Sequence, residues 1–133
     1  MSFARVVLAL SSAFVLLAGV ACLVAPESFT QQAGLSATAS ALTEIRAFYG
    51  GLQVGIGCFL IWCVRQRALT LAGLLLVGLA VGGAGIARAF GMLIDGAPTT
   101  FHLTNFAIEV ATVAVVAVAV SRHRLMDAHR AAV

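Results

Sequence analysis

The sequence predicts an all-α integral membrane protein, a single domain over residues 1–133 formed as a bundle of four transmembrane helices with both termini cytoplasmic. Composition is the first reason. Hydrophobic residues make up 62% of the chain and charged residues only 10%, with a mean hydropathy of +1.07, whereas soluble domains are nearer half apolar and a quarter charged. A soluble chain of this length could not hide so much apolar surface, so lipid is the natural solvent. The second reason is that the apolar residues fall in four runs, each about twenty residues or longer, enough to cross a core of about 30 Å. The third is charge asymmetry. Arg5, Arg65, Arg67, Arg122, Arg124 and Arg130 fall on one side, and the two loops on the other side carry no basic residue. That asymmetry places both termini in the cytoplasm. An even number of spans requires the termini to share a side, so count and charge agree.

The first helix is expected over residues 5–25, closed by Pro26. Arg5 before an apolar stretch resembles a signal peptide. The stretch is longer than a signal core, however, and lacks a crisp small-x-small end, so it reads as a true span. Residues 26–43 (PESFTQQAGLSATASALT) are polar, small and turn-rich, and form an outer loop. Phe29 and Leu35 are apolar anchors there, so part of the loop is a candidate interfacial helix. The second helix covers 42–64 and ends at the Arg65-Gln66-Arg67 turn. The third covers 68–94, longer than the hydrocarbon core, which implies tilt or an extramembrane last turn. Asp95-Gly96-Ala97-Pro98 has the chemistry of a tight turn. The fourth helix covers 101–121, and 122–133 is a short basic tail.

The net charge of +3 and pI near 9.2 do not indicate nucleic acid. All eight basic residues are arginines, scattered or placed just after apolar runs, and no basic stripe interleaved with aromatics exists. Cys22, Cys58 and Cys63 lie inside apolar runs, and their odd number without a CxxC pair argues against a disulfide framework or a structural zinc site. They read as small hydrophobes. Trp62 is an interfacial anchor, and His123 and His129 are solvated tail residues.

Against this background the stretch EIRAFYGGLQVGIG, Glu44 to Gly57, is unusually polar. The second helix enters from the outer side, so Arg46, Tyr49 and Gln53 occupy its outer half. Arg88 lies about 9 Å before the end of the third helix, and Glu109 about 12 Å into the fourth. Glu44, Arg46, Arg88 and Glu109 therefore share the outer leaflet, and their charges balance. Arg46, Tyr49, Gly50, Gln53 and Gly57 fall on one helical face, and His102, Asn105, Glu109 and Thr112 on another. A charge facing lipid costs several kcal/mol, so these faces should turn toward each other. Arg88 and Glu109, at similar depth, are the expected pair, with Arg46 joining through Tyr49 or Gln53.

Gly51-x-x-x-Gly55 and Gly78-x-x-x-Gly82 permit close helix contact and are expected at packing interfaces. Phosphate cradling would need a strand before the glycines, and none is visible. His102, with Asp95, Glu44 or Glu109, could in principle approach a metal, but no compact ligand motif exists, so no metal and no cofactor is expected.

The segments EIRAFYGGLQVGIGCFLIW, GIARAFGMLIDGAP and FAIEV resemble a family of small bacterial integral membrane proteins catalogued as a domain of unknown function, number four-three-four-five. The resemblance covers nearly the whole chain. Its pattern of E-x-R before Tyr-Gly-Gly, then Arg and Asp-Gly around the end of the third helix, then a glutamate in the fourth, falls on Glu44, Arg46, Tyr49, Gly50, Gly51, Arg88, Asp95, Gly96 and Glu109. It implies a four-helix membrane bundle and no established activity. A looser likeness to DoxX-like proteins is an analogy of fold.

Functionally, the polar residues can be a structural lock or a site. Neutral partners would suffice for a lock, which favours a ligand. The leading expectation is an outer-leaflet Arg/Glu pocket in a bacterial inner-membrane protein, binding a lipid-like or small amphiphilic ligand. Arg88 and Arg46 would supply anion contacts, Glu109 the counter-charge, and Tyr49, Gln53, Asn105 and His102 hydrogen bonds. The alternative is an accessory or scaffold subunit, in a homo-oligomer or larger membrane complex, assembled through its glycine faces. A proton-coupled carrier titrating Glu109 ranks lower, because the first helix lacks an acid. An enzyme ranks last, since no nucleophile–base pair can be read.

Overall fold

The computed structural model describes residues 2–96 and 98–131, except the side chains of residues 127, 130 and 131. The described elements are all helical: α1 (Phe3–Val24), α2 (Pro26–Ala33), α3 (Ala39–Glu44), a π-helical stretch (Ile45–Gly51), α4 (Leu52–Arg65), a 3-10 turn (Arg67–Leu69), α5 (Thr70–Asp95) and α6 (Thr100–Ala131). Helical backbone angles at Glu44, Ile45 and Leu52 join α3, the π stretch and α4 into one rod. Four helical segments are long and apolar enough to cross a membrane: Phe3–Val24, Ala39–Arg65, Arg67–Asp95 and Thr100–Met126. Leu17, Val24, Leu79, Ile86 and Leu93 are 72–83% exposed. Such outward-facing apolar side chains fit a lipid solvent and would be an aggregation surface in water.

The chain packs as two compact units, one of Ala9–Trp62 and one of the described parts of Met1–Leu8 and Cys63–Val133. The helices α1 and α4 each contribute to both.

In the unit Ala9–Trp62, α1 lies against the π stretch and α4 through glycines. A Cβ on Gly57 would sit 2.5 Å from Leu16 Cγ, and one on Gly50 would sit 2.7 Å from Leu23 Cγ. Only a missing side chain admits that approach, the reason small residues line helix contacts in lipid. The buried Ser12 hydroxyl donates to the Gly57 carbonyl at 3.1 Å, so it is not stranded.

The segment 26–43, expected as a loop, is more ordered than that. Pro26 starts α2 at a position where its missing N–H costs nothing. Gly34 ends α2 in the left-handed region at φ 69°, with Gly34 N–H on the Gln31 carbonyl and Leu35 N–H on that of Thr30. These two bonds form a Schellman motif. The next helix then starts at Ala39, earlier than hydropathy indicates, because the Thr38 hydroxyl accepts the Ala41 N–H at 3.2 Å as an N-cap.

In the other unit, α5 and α6 run antiparallel in a regular register. Gly78, Gly82 and Gly85 on α5 face Val116, Val113 and Glu109 on α6, with added Cβ atoms meeting them at 3.3, 3.6 and 3.5 Å. The Arg5 guanidinium donates from Nε and Nη2 to the Val64 carbonyl at 3.0 and 2.7 Å, satisfying one of the orphan acceptors of the α4 C-terminus. Arg122 lies over the Phe3 ring at 5.1 Å, a cation–π contact. The expected tail after residue 121 is instead a continuation of α6 to Ala131. No glycine or proline interrupts the sequence from Phe101 onward, so the apolar run marks where the span ends but not where the helix does.

Candidate functional site

Arg88 and Glu109 are drawn together by the α5–α6 register. Gly85, one turn before Arg88, presents no side chain where Glu109 lies, so the glutamate extends along α5 to the guanidinium. Arg88 Nε donates to both carboxylate oxygens at 3.1 Å, and Nη2 donates to Oε1 at 2.8 Å. The side chains are only 24% and 12% exposed, so the pair is shielded from water. This is the pairing that helical depth leads one to expect.

The register continues past the pair to a cleft of about 180 Å³ lined by Arg88, Gly91, Met92, Asp95 and His102. Arg88, Gly91 and Asp95 are spaced i, i+3 and i+7 and therefore share a face of α5. A Cβ on Gly91 would lie 3.8 Å from Asp95 Oδ2, so the Asp95 carboxylate folds back along the helix over the space Gly91 leaves open. Among the described residues Asp95 makes no ion pair, and no acceptor lies on Arg88 Nη1. His102 comes from the first turn of α6, where its N–H meets the Thr99 hydroxyl at 3.4 Å, and its ring packs edge-on against Phe101.

The other expected site residues are placed differently. Asn105 donates to the Phe101 carbonyl of its own helix at 2.8 Å, and Thr112 likewise to that of Ile108. Arg46 finds its partners within its own unit. Its Nε donates to the Leu23 carbonyl at 3.4 Å and its Nη2 lies 4.0 Å from Glu27. Both members of that ion pair are about half exposed, and such pairs contribute little. Tyr49 packs its ring on Phe29, with centroids 4.6 Å apart. Gln53 is half-buried, and Glu44 is exposed at the last turn of α3. Arg46 and Tyr49 thus make their contacts to α1 and α2 within the unit Ala9–Trp62.

The π-helical stretch explains part of this difference. Leu52 N–H bonds the Ala47 carbonyl five residues back, and that extra residue per turn shifts the helical phase between Arg46 and Gln53. Gly78 and Gly82 do carry a helix contact. Gly55 meets nothing within 4 Å, and Gly51 meets only the Arg46 carbonyl of its own helix at 3.7 Å. The glycines that do hold α1 are Gly50 and Gly57, and nothing in the sequence separates the two pairs beyond their phase. Asp95, Gly91 and Met92 join Arg88 and His102 at the cleft, and their spacing from Arg88 is a readable signal of it. Among the described residues no three of His, Cys, Asp or Glu gather as metal ligands.

Four apolar membrane-length helices, with an Arg–Glu pair between the last two, define a polytopic α-helical membrane protein. The chain belongs to the family described as a domain of unknown function, DUF4345, whose family model matches residues 3–120. No curated protein and no solved structure matches the chain.

Proposed function

We propose that this is a small bacterial inner-membrane protein whose cleft beside Arg88 binds the polar head of a lipid-like or small amphiphilic ligand at the outer leaflet, without covalent catalysis. The supporting observation is the half-engaged guanidinium. Glu109 occupies the Nε–Nη2 edge of Arg88, while Nη1 belongs to a residue that lines the cleft. A lock between helices needs only the first edge. The second leaves a charged donor in a low-dielectric setting, where a hydrogen bond to an acceptor is strong. Met92, which lines the cleft beside Arg88, offers it an apolar side chain.

The test is mass spectrometry of the protein extracted gently from its native membrane. An amphiphile retained in near-equal amount supports the reading, and folded protein that retains none overturns it.

A second reading is supported by Gly51 and Gly55. Within their own unit an added Cβ on Gly55 meets nothing within 4 Å and one on Gly51 meets only the Arg46 carbonyl of the same helix. Such a small-residue face suits a second copy or another subunit of a membrane complex. Cys58 is exposed one turn further along, and its oxidative crosslinking in the membrane would report a symmetric dimer. Nucleic acid is not among the proposed partners.

A further inference from the structure

The charges around the cleft restrict what its ligand can be. Arg88 and Glu109 cancel each other. The Asp95 carboxylate then stands beside the cleft with no arginine of its own. Asp95 is also the last residue of α5, where no basic residue offsets the carbonyl end of the helix dipole. An acid at that end is disfavoured, so the rim of the cleft is a place of uncompensated negative potential. A purely anionic ligand would satisfy Arg88 Nη1 while adding to that potential. A purely cationic one would satisfy Asp95 while facing the guanidinium.

We propose that the cleft takes a zwitterionic phosphoethanolamine-type group, its phosphate on Arg88 Nη1 and its ammonium on Asp95. This rests on the ligand-binding reading above. The order of the charges supports it. Asp95 lies nearer the end of the span than Arg88, by about 10 Å along the helix axis from i to i+7. Its carboxylate folds back over Gly91, one turn from Arg88, which brings the two charges toward the spacing of a phosphate and an amine two carbons apart. In a phosphatidylethanolamine the phosphate lies nearer the acyl chains and the amine nearer water, the same order. That match holds whichever membrane face the cleft opens to. The ammonium also brings three hydrogen-bond donors to a carboxylate that accepts none from the described residues.

Wild-type protein and Asp95→Asn are compared in native mass spectrometry, each offered dioleoylphosphatidylethanolamine, dioleoylphosphatidylglycerol with the same chains but no ammonium, and free O-phosphoethanolamine. Asp95 is exposed at a helix end, so the variant keeps the fold, and its thermal midpoint is checked alongside. Wild type is expected to retain phosphatidylethanolamine about tenfold better than phosphatidylglycerol. Asp95→Asn is expected to bring the two lipids within about twofold, by losing phosphatidylethanolamine rather than gaining the other. Competition by free O-phosphoethanolamine would support the same chemistry with the headgroup as the ligand, and lack of competition would support it with the whole lipid. Equal retention of both lipids by wild type, or a preference untouched by Asp95→Asn, would overturn the zwitterion while leaving an Arg88 amphiphile site standing. Retention of neither lipid, with no effect of free O-phosphoethanolamine, would overturn it too, and a native-membrane extract carrying no amphiphile would remove the binding reading beneath it.

Discussion

Arg88 reaches from α5 to Glu109 on α6 with three hydrogen bonds, the shortest 2.8 Å, and both side chains are mostly buried. Removing one member of such a pair strands the other charge, at a cost of about 3–5 kcal/mol. Arg88→Ala and Glu109→Ala should therefore each destabilise strongly, while the double substitution should recover much of the loss. Thermal unfolding in detergent of all four variants gives the coupling energy. Additive losses would mean that the two residues do not act as a pair.

The glycines separate into two groups by what an added side chain would meet. Leucine at Gly50 or Gly57 would collide with Leu23 or Leu16, and overpacking of this kind costs about 1–3 kcal/mol or more. Leucine at Gly55 enters open space and should change detergent stability by no more than about 0.5 kcal/mol. Folded yield and thermal midpoint measure both. Equal losses at Gly55 and Gly57 would contradict the assignment of α1 to the Gly50–Gly57 side.

The sequence carries depth more legibly than phase. Pro26, the Arg65-Gln66-Arg67 turn and Asp95-Gly96 mark ends that the helices respect within a few residues, because proline, left-handed glycine and interfacial arginine act locally. Arg88 and Glu109 could be paired from their distance to those ends. Which face of the rod Ala39–Arg65 meets α1 depends on angle, and the π stretch at Ile45–Gly51 alters the angle with no sequence signal beyond Gly50-Gly51. By sequence alone Gly51-x-x-x-Gly55 is therefore as suitable for a helix contact as Gly50 and Gly57. The continuation of α6 to Ala131 is not legible in hydropathy, which reports where lipid ends, while helix propensity does not change there.

Gly34 closes α2 at φ 69°, a conformation that costs a residue with a Cβ about 1–2 kcal/mol. Gly34→Ala should loosen α2 without disturbing the spans. Hydrogen exchange should then rise at Gly34 and Leu35, whose N–H groups bond Gln31 and Thr30, and stay unchanged within α5. Unchanged protection at Leu35 would show that the cap does not hold α2.

The arginine asymmetry predicts both termini in the cytoplasm. A C-terminal fluorescent reporter that matures only there should be bright. Darkness at normal expression would invert the orientation and move the Arg88 cleft to the cytoplasmic leaflet.

The central claim is that Arg88 serves Glu109 with one edge and a ligand with the other, and Arg88→Lys tests it most directly. Lysine keeps the positive charge beside Glu109 but lacks the planar fork that can hold two partners. The variant should therefore retain well over half of the stability that Arg88→Ala loses, read by thermal unfolding. In native mass spectrometry it should retain the co-purifying amphiphile about tenfold less well than wild type, equivalent to about 1.4 kcal/mol. A variant that is equally stable and holds the amphiphile as tightly as wild type would contradict the claim and leave Arg88 as a lock between α5 and α6.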